Sequence, residues 1–238
     1  MGARFAELDF RRTALGDLVL RRRLDPVLGT EVYEVKLGEE FLMSSAFTVA
    51  EVELSRLGLD AAAGSELDVV VGGLGLGHTA RAALDDTRVR SLVVVEALAE
   101  VVEWHRRDLL PGAERLTTDP RVRLVTGDFF HLVRGGDVDP EARDRRFDAV
   151  LVDIDHSPRH VLHPSHARFY RPPGLQGLAA VLKPGGVFAL WSDDPPDDEF
   201  AADLAQVFTT THAHVVEFDN PYTGGTSANT VYVAALGG

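Results

Sequence analysis

Residues 67–80 read LDVVVGGLGLGHTA, and this stretch decides the fold. Residues 67–71 are apolar except for Asp68, the composition of a short strand buried on both faces. A glycine-rich turn follows at residues 72–77, and residues 79–84 read as a helix. Gly73, Gly75 and Gly77 let the backbone pass close to a ligand where any Cβ would collide. Downstream, the rhythm repeats. Strands are predicted at 91–95, ending at Glu96, at 122–125, at 147–152, ending at Asp153, and at 187–191. Helices are predicted at 97–109, 129–133, 175–182 (closed by Pro184-Gly185-Gly186) and 199–207. Residues 214–218 and 230–234 look like a terminal pair of strands. Apolar strands alternating with helices imply an α/β, Rossmann-like doubly wound sheet.

Upstream, the reading changes. Leu18, Val19 and Leu20 form one apolar run, residues 31–37 alternate polar and apolar, and Asp25-Pro26 and Gly29 lie between. This predicts a small N-terminal β unit over residues 1–45, ahead of a nucleoside-binding catalytic domain over 46–238. A helix is predicted at 48–57, with Gly58 placed to stop it.

The 238 residues carry 24 Lys and Arg against 37 Asp and Glu, a net charge of −13. That disfavours nucleic acid as a partner, because a grip on phosphates needs clustered positive charge, and it suits a cationic substrate. The absence of Cys excludes disulfides, thiolate metal sites and Cys nucleophiles. No apolar run approaches the roughly 18 residues of a membrane span, so no membrane partner is expected. The opening MGARFAELDFRRTALG lacks the apolar core of a secretory signal, so a cytoplasmic protein is expected.

Glu96 ends the second strand 19 residues after Gly77, where an acidic side chain accepts hydrogen bonds from ribose hydroxyls. The loop is spaced G-x-G-x-G, whereas a dinucleotide site prefers G-x-G-x-x-G, which disfavours a dehydrogenase. Asp128, after Gly127, has two readings of equal weight: acceptor for an adenine amino group, or N-cap of the helix at 129–133. Glycine loop, acidic strand end and Gly-Asp together resemble the S-adenosylmethionine-dependent methyltransferase fold.

The resemblance narrows further along the chain. FDAVLVDIDHSP (147–158), PSHARFY (164–170), LAAVLKPGGVFAL (178–190) and WSDDP (191–195) resemble the polyamine aminopropyltransferases, the spermidine and spermine synthases. The segment around Glu40-Phe41-Leu42 is similar to that family's N-terminal β unit more loosely. The resemblance implies a transferase of polyamine biosynthesis acting on a small-molecule amine. It implies S-adenosylmethionine or its decarboxylated form as co-substrate, and a homodimer. It also implies that Glu96 binds ribose, Asp128 adenine, and that Asp153 acts on the amine. Asp155 and His156 follow as a second carboxylate and a proton carrier near neutral pH.

The chain departs from the family pattern at three places. Gly75 stands where the family loop usually carries an Asp that binds the donor's ammonium. Met43-Ser44-Ser45 replaces a Tyr-His-Glu segment, and His156 replaces the second Asp of D-x-x-D-P. Two rival functions therefore stay open: a small-molecule methyltransferase, and a nucleoside-binding module without catalysis. His156, His160, His163 and His166 are read as a polar active-site loop with no metal, because Pro158 and Pro164 break helical ligand spacing. Trp104 and His105 are read as packing. Asp193, Asp194, Asp197 and Asp198 are read as a solvated acidic run at the ligand-facing end of the sheet.

Overall fold

Two sheets built on different rules make up the chain. The structure, a computed structural model, describes residues 4–13 and 16–238. Residues 1–3 and 14–15 of the expected N-terminal unit lie outside the described residues. The first sheet is an antiparallel meander of β1 (Phe5–Thr13), β2 (Gly16–Leu24), β3 (Glu31–Leu37) and β4 (Glu40–Ser44), in that order. The alternation in β3 is interrupted by Glu34, which is buried but held by Arg21 and Arg23 at 2.7 and 2.8 Å.

The second sheet has seven strands. Parallel β5 (Leu67–Gly72), β6 (Val89–Glu96), β7 (Val122–Thr126), β8 (Phe147–Val152) and β9 (Leu182–Ser192) are joined by the antiparallel pair β10 (Thr210–Asn220) and β11 (Gly225–Ala235). The spatial order is β10-β11-β9-β8-β5-β6-β7, so strand order reverses at β5, between β6 and β8. The central strands are apolar on both sides because both sides are covered. Val69, Val71, Leu92 and Val94 pack with α1 (Val49–Ala61), α2 (His78–Asp85), α3 (Ala99–Arg106) and α4 (Ala113–Thr118). Val70, Val93, Val150 and Phe188 pack with α5 (Phe129–Gly135), α6 (Pro172–Ala179) and α7 (Asp198–Ala205). Leu18, Leu20 and Val35 of the small sheet join the first of these clusters. Among the described residues, no helix is long and apolar enough to cross a membrane.

Asp68, the one polar residue in β5, is buried at the strand's amino end. Burial alone would raise its pKa. Hydrogen bonds from Arg90, Lys183 and Arg145 at 2.6, 2.9 and 2.8 Å outweigh that and hold the carboxyl below its ordinary range.

The doubly wound expectation holds, with three local corrections. Gly58 does not stop α1, which runs to Ala61; an ideal Cβ there would lie 2.6 Å from Leu151 Cδ2 and 3.0 Å from Ala189 Cβ. The glycine is a flat spot where α1 lies against β8 and β9. The helix expected at 97–109 ends at Arg106, where Asp108 turns to φ +53°, and the separate α4 follows. The helix expected at 175–182 starts earlier, on Pro172-Pro173, and Lys183-Pro184-Gly185-Gly186 belongs to β9 because Leu182 already pairs with Phe147.

Gly58→Val should destabilise the chain by about 1–3 kcal/mol, the usual cost of overpacking a close-packed contact. Urea unfolding measures it; a variant as stable as the parent would mean that α1 can lift off the sheet freely.

Candidate active site

A cavity of about 1330 Å³ opens beyond the carboxyl ends of β5, β6 and β8. This is the point of strand-order reversal, where open α/β sheets place their ligands. The strand ends stay hydrogen-bonded past the regular sheet: Gly73 N donates to Val95 O at 2.9 Å, and Asp153 N donates to Gly72 O at 2.8 Å. Gly73 has φ +94°, and a Cβ there would fall on the Asp153 carbonyl. Gly77 has φ +83°, and a Cβ there would meet His105 Cε1 at 2.8 Å. These two glycines make room for protein, and all three glycines of the loop line the cavity. Gly75 has φ +48°, and a Cβ there would meet the Met43 side chain, with Sδ at 3.1 Å.

Glu96 sits at the end of β6 and grips the loop. Its Oε2 accepts from Leu74 N at 3.0 Å and Gly75 N at 3.4 Å, and Oε1 accepts from Leu98 N at 2.9 Å. Burial raises its pKa, against the lowering effect of those backbone bonds. Glu96 also borders the cavity, so its carboxylate stands between the loop and the open space. His105 secures the same loop from behind. Because the Gly75 carbonyl can only accept, His105 Nε2 carries the proton and donates to it at 2.9 Å, while Nδ1 is buried without a partner. Trp104 is fully buried and donates to Asp9 at 2.7 Å. Asp128 caps α5, accepting from His131 N at 3.1 Å, and also borders the cavity.

Asp153 ends β8 at the cavity wall and accepts from the Thr79 hydroxyl at 2.6 Å. Burial pushes its carboxyl up to about 6, although the Thr79 bond lowers it. Glu51, on the inner face of α1, shares this wall. Burial, and then the Asp153 charge, push Glu51 up to about 8. Nothing in the sequence singled out Glu51, because it sits in a helical pattern whose register alone decides what it faces.

Asp155, two residues after Asp153, is differently placed. It is 2% exposed and accepts from Leu162 N at 2.7 Å, His166 Nδ1 at 2.9 Å and Tyr170 Oη at 2.8 Å. Its carboxylate organises the 155–170 segment. The His156 side chain borders the cavity, and its carbonyl accepts from Asp193 N at 2.7 Å. His163 and His166 also border the cavity, whereas His160 turns away to Asp194 at 2.9 Å. Within the acidic run, Asp193 faces the cavity and accepts from Asn229 at 2.8 Å, while Asp197 caps α7.

The cavity's charge is one-sided. Glu39 and Glu40 reach it from the β3–β4 turn, Glu51 from α1, and Glu96, Asp128, Asp153, Asp155 and Asp193 from strand ends and the segments after them. Among the described residues, no lysine or arginine lines it. His78 lines it as a neutral ring, pushed down to about 4 by burial and then by Arg81. The Trp191 indole N–H, also at the cavity, is buried without a partner. Such a donor is costly unless a ligand accepts from it.

A family model described as the spermine/spermidine synthase domain matches residues 55–220. Polyamine aminopropyltransferase 2 of Pseudomonas aeruginosa is 31% identical over 157 residues, covering 62% of this chain and 41% of that protein. The polyamine aminopropyltransferase of Mycobacterium tuberculosis is 31% identical over 132 residues, covering 56% of this chain and 24% of that protein. The chain thus spans less than half the length of these curated relatives. Spermidine synthase from Thermotoga maritima superposes with a TM-score of 0.73 at 19% identity, over 97% of this chain and 73% of that one. A spermidine synthase in complex with the transition-state analogue AdoDATO superposes with a TM-score of 0.72 at 19% identity, over 97% and 72%.

The Glu51–Asp153 wall yields a pH prediction. Both groups have folded pKa values above their ordinary 4.5 and 3.8, so their stabilising contribution is complete below about pH 4 and is lost as pH rises through about 6 and 8. Glu51→Gln removes one of the two titrations. Its melting temperature relative to the parent should therefore rise between pH 5 and pH 8.5, by about 2–4 °C for each kcal/mol relieved. Melting curves at the two pH values check this, and a pH-independent difference would refute it.

Proposed function

The chain belongs to the spermine/spermidine synthase family, and from that membership and the one-sided charge of the cavity we propose that it transfers an aminopropyl group from decarboxylated S-adenosylmethionine to a small amine. The observation that carries this is a large cavity at the switch point, rich in carboxylates and free of lysine and arginine among the described residues. S-adenosylmethionine brings a carboxylate into such a site without a cationic partner. The decarboxylated form brings only positive charge, which the site attracts. The family's usual donor is the decarboxylated form, in agreement with this charge argument.

In this reading Glu96, at the cavity rim, accepts from the ribose hydroxyls. Asp128 lies on the adenine side, and the glycine loop lies along the nucleoside. Asp153 binds the acceptor ammonium with Glu51 beside it, and His156 borders the amine path. The β3–β4 hairpin of the small sheet contributes Glu39, Glu40 and Met43 to the same cavity wall. Transfer needs a nucleophilic nitrogen, so the amine must lose a proton before or as it attacks the carbon next to the sulfonium.

One observation favours a methyltransferase instead. Gly75 leaves the loop without the carboxylate that would hold the donor's free ammonium. Calorimetry separates the two readings. The decarboxylated donor should bind at least about tenfold more tightly than S-adenosylmethionine, the worth of one unpaired charge contact. Tighter binding of S-adenosylmethionine would replace aminopropyl transfer by methyl transfer.

Two substitutions test the residue roles. Glu96→Ala should weaken methylthioadenosine binding by at least about tenfold, since charge-assisted hydrogen bonds contribute about 1.5–3 kcal/mol; unchanged affinity in a folded variant removes Glu96 from the ribose site. Asp153→Asn should raise the KM for the amine while leaving methylthioadenosine affinity unaltered. An unchanged KM would make Asp153 structural.

A further inference from the structure

An amine-transferring site needs one group to hold the ammonium and another to take its proton. A carboxylate paired with an ammonium stabilises the protonated form, so the two tasks oppose each other on one side chain. Asp153 is suited to holding, and one of its oxygens is already occupied by Thr79. Asp155 is suited to neither, being 2% exposed and saturated by Leu162, His166 and Tyr170.

His166 differs from both. Its Nδ1 lies 2.9 and 3.2 Å from the two oxygens of Asp155, and because a carboxylate only accepts, Nδ1 carries the proton. That leaves Nε2 as the ring's free lone pair. The ring packs on Phe130, with centroids 4.1 Å apart and planes tilted by 32°, which restricts its rotation. The side chain is 16% exposed and lines the cavity. Among the described residues, nothing bonds Nε2, and it is not among the buried polar atoms without a partner, so it keeps accessible surface on a residue that lines the cavity.

We propose that His166, oriented by Asp155 through Nδ1 and stacked on Phe130, takes the proton from the acceptor amine at Nε2. The proposal rests on the amine-transfer reading above. The step balances as follows. The ammonium N–H bond breaks, its proton goes to Nε2, and its electron pair stays on nitrogen. That pair forms the new C–N bond, and the C–S bond breaks with its electrons going to sulfur, so the sulfonium becomes a neutral thioether. The buried Asp155 stabilises the imidazolium so formed, which then releases its proton to solvent, and the new secondary amine stays protonated. The groups that face the ring are Asp155 and Tyr170 on its Nδ1 side, Phe130 on its face, and His163 with its ring centroid 5.8 Å away. Asp155 acts through His166 and is a positioning residue.

The test uses the full chain, the decarboxylated donor and a panel of diamines and polyamines. His166→Asn keeps a donor near the Nδ1 position and deletes Nε2. It should lower kcat by about 10²–10⁴-fold, the usual worth of a general base. The KM for the amine and methylthioadenosine affinity should not change. In His166→Ala, added imidazole should restore part of kcat. Nitrogen NMR of the histidines should find His166 protonated at Nδ1 in the parent and lose that preference in Asp155→Asn. Full kcat in His166→Asn, a loss confined to KM, or an Nε2-protonated ring in the parent would each overturn the proposal and leave the transfer reading intact. A parent chain that turns over no amine with the decarboxylated donor would overturn both.

Discussion

The Asp153 carbonyl occupies the space where a side chain on Gly73 would stand, and the site depends on that close approach. It lets the ends of β5 and β8 keep pairing after the regular strands stop, through Asp153 N to Gly72 O. The same continuation joins β5 to β6 through Gly73 N to Val95 O, and β6 to β7 through Gly127 N to Glu96 O. Glu96, Asp128 and Asp153 are thereby delivered to one rim. Any side chain at position 73 would wedge β5 from β8 and disperse them, whatever it did to a ligand.

Charge is sorted along the sheet axis. At the amino ends of the strands, Asp68, Asp139 and Asp148 are paired with Arg90, Arg123, Arg145 and Lys183. At the carboxyl ends, the cavity carboxylates face no lysine or arginine among the described residues. The formal charge of −13 is therefore not an even coat. A cluster of its acids lines the cavity, where low-dielectric walls focus the field on a cation. Burial raises the carboxyls of Glu51 and Asp153, an effect that a nearby cation would oppose.

Much of this was legible in the sequence, for identifiable reasons. Apolar strands between helices report a sheet covered on both faces, and the acidic residues that follow them must lie at its carboxyl edge, where Glu96 and Asp153 stand. The start of β9 was missed because Lys-Pro-Gly-Gly reads as a turn, and only pairing with β8 makes it a strand. Gly58 was misread because a glycine that stops a helix and one that lets it touch a sheet look the same without the sheet. Glu51 and the Asp155–His166 contact depend on helix register and on a loop closing across 11 residues. Neither has a periodic signal.

Asp153 and Asp155 illustrate how environment divides one chemistry into two tasks. They lie two residues apart at the end of the same strand. Asp153 receives one hydroxyl, faces the cavity and has its carboxyl raised by burial, so its charge is available to an incoming cation. Asp155 receives a backbone N–H, an imidazole and a phenol, so its acceptor capacity is spent on the loop and on the ring of His166. A carboxylate so fully satisfied cannot reach a substrate, but it can fix which nitrogen of a neighbouring imidazole carries the proton. Where the family pattern places its second carboxylate, the chain has His156, and the loop that follows brings in His166 backed by Asp155. In the reading proposed above, a histidine that a carboxylate orients takes over a task of the acid missing from the pattern.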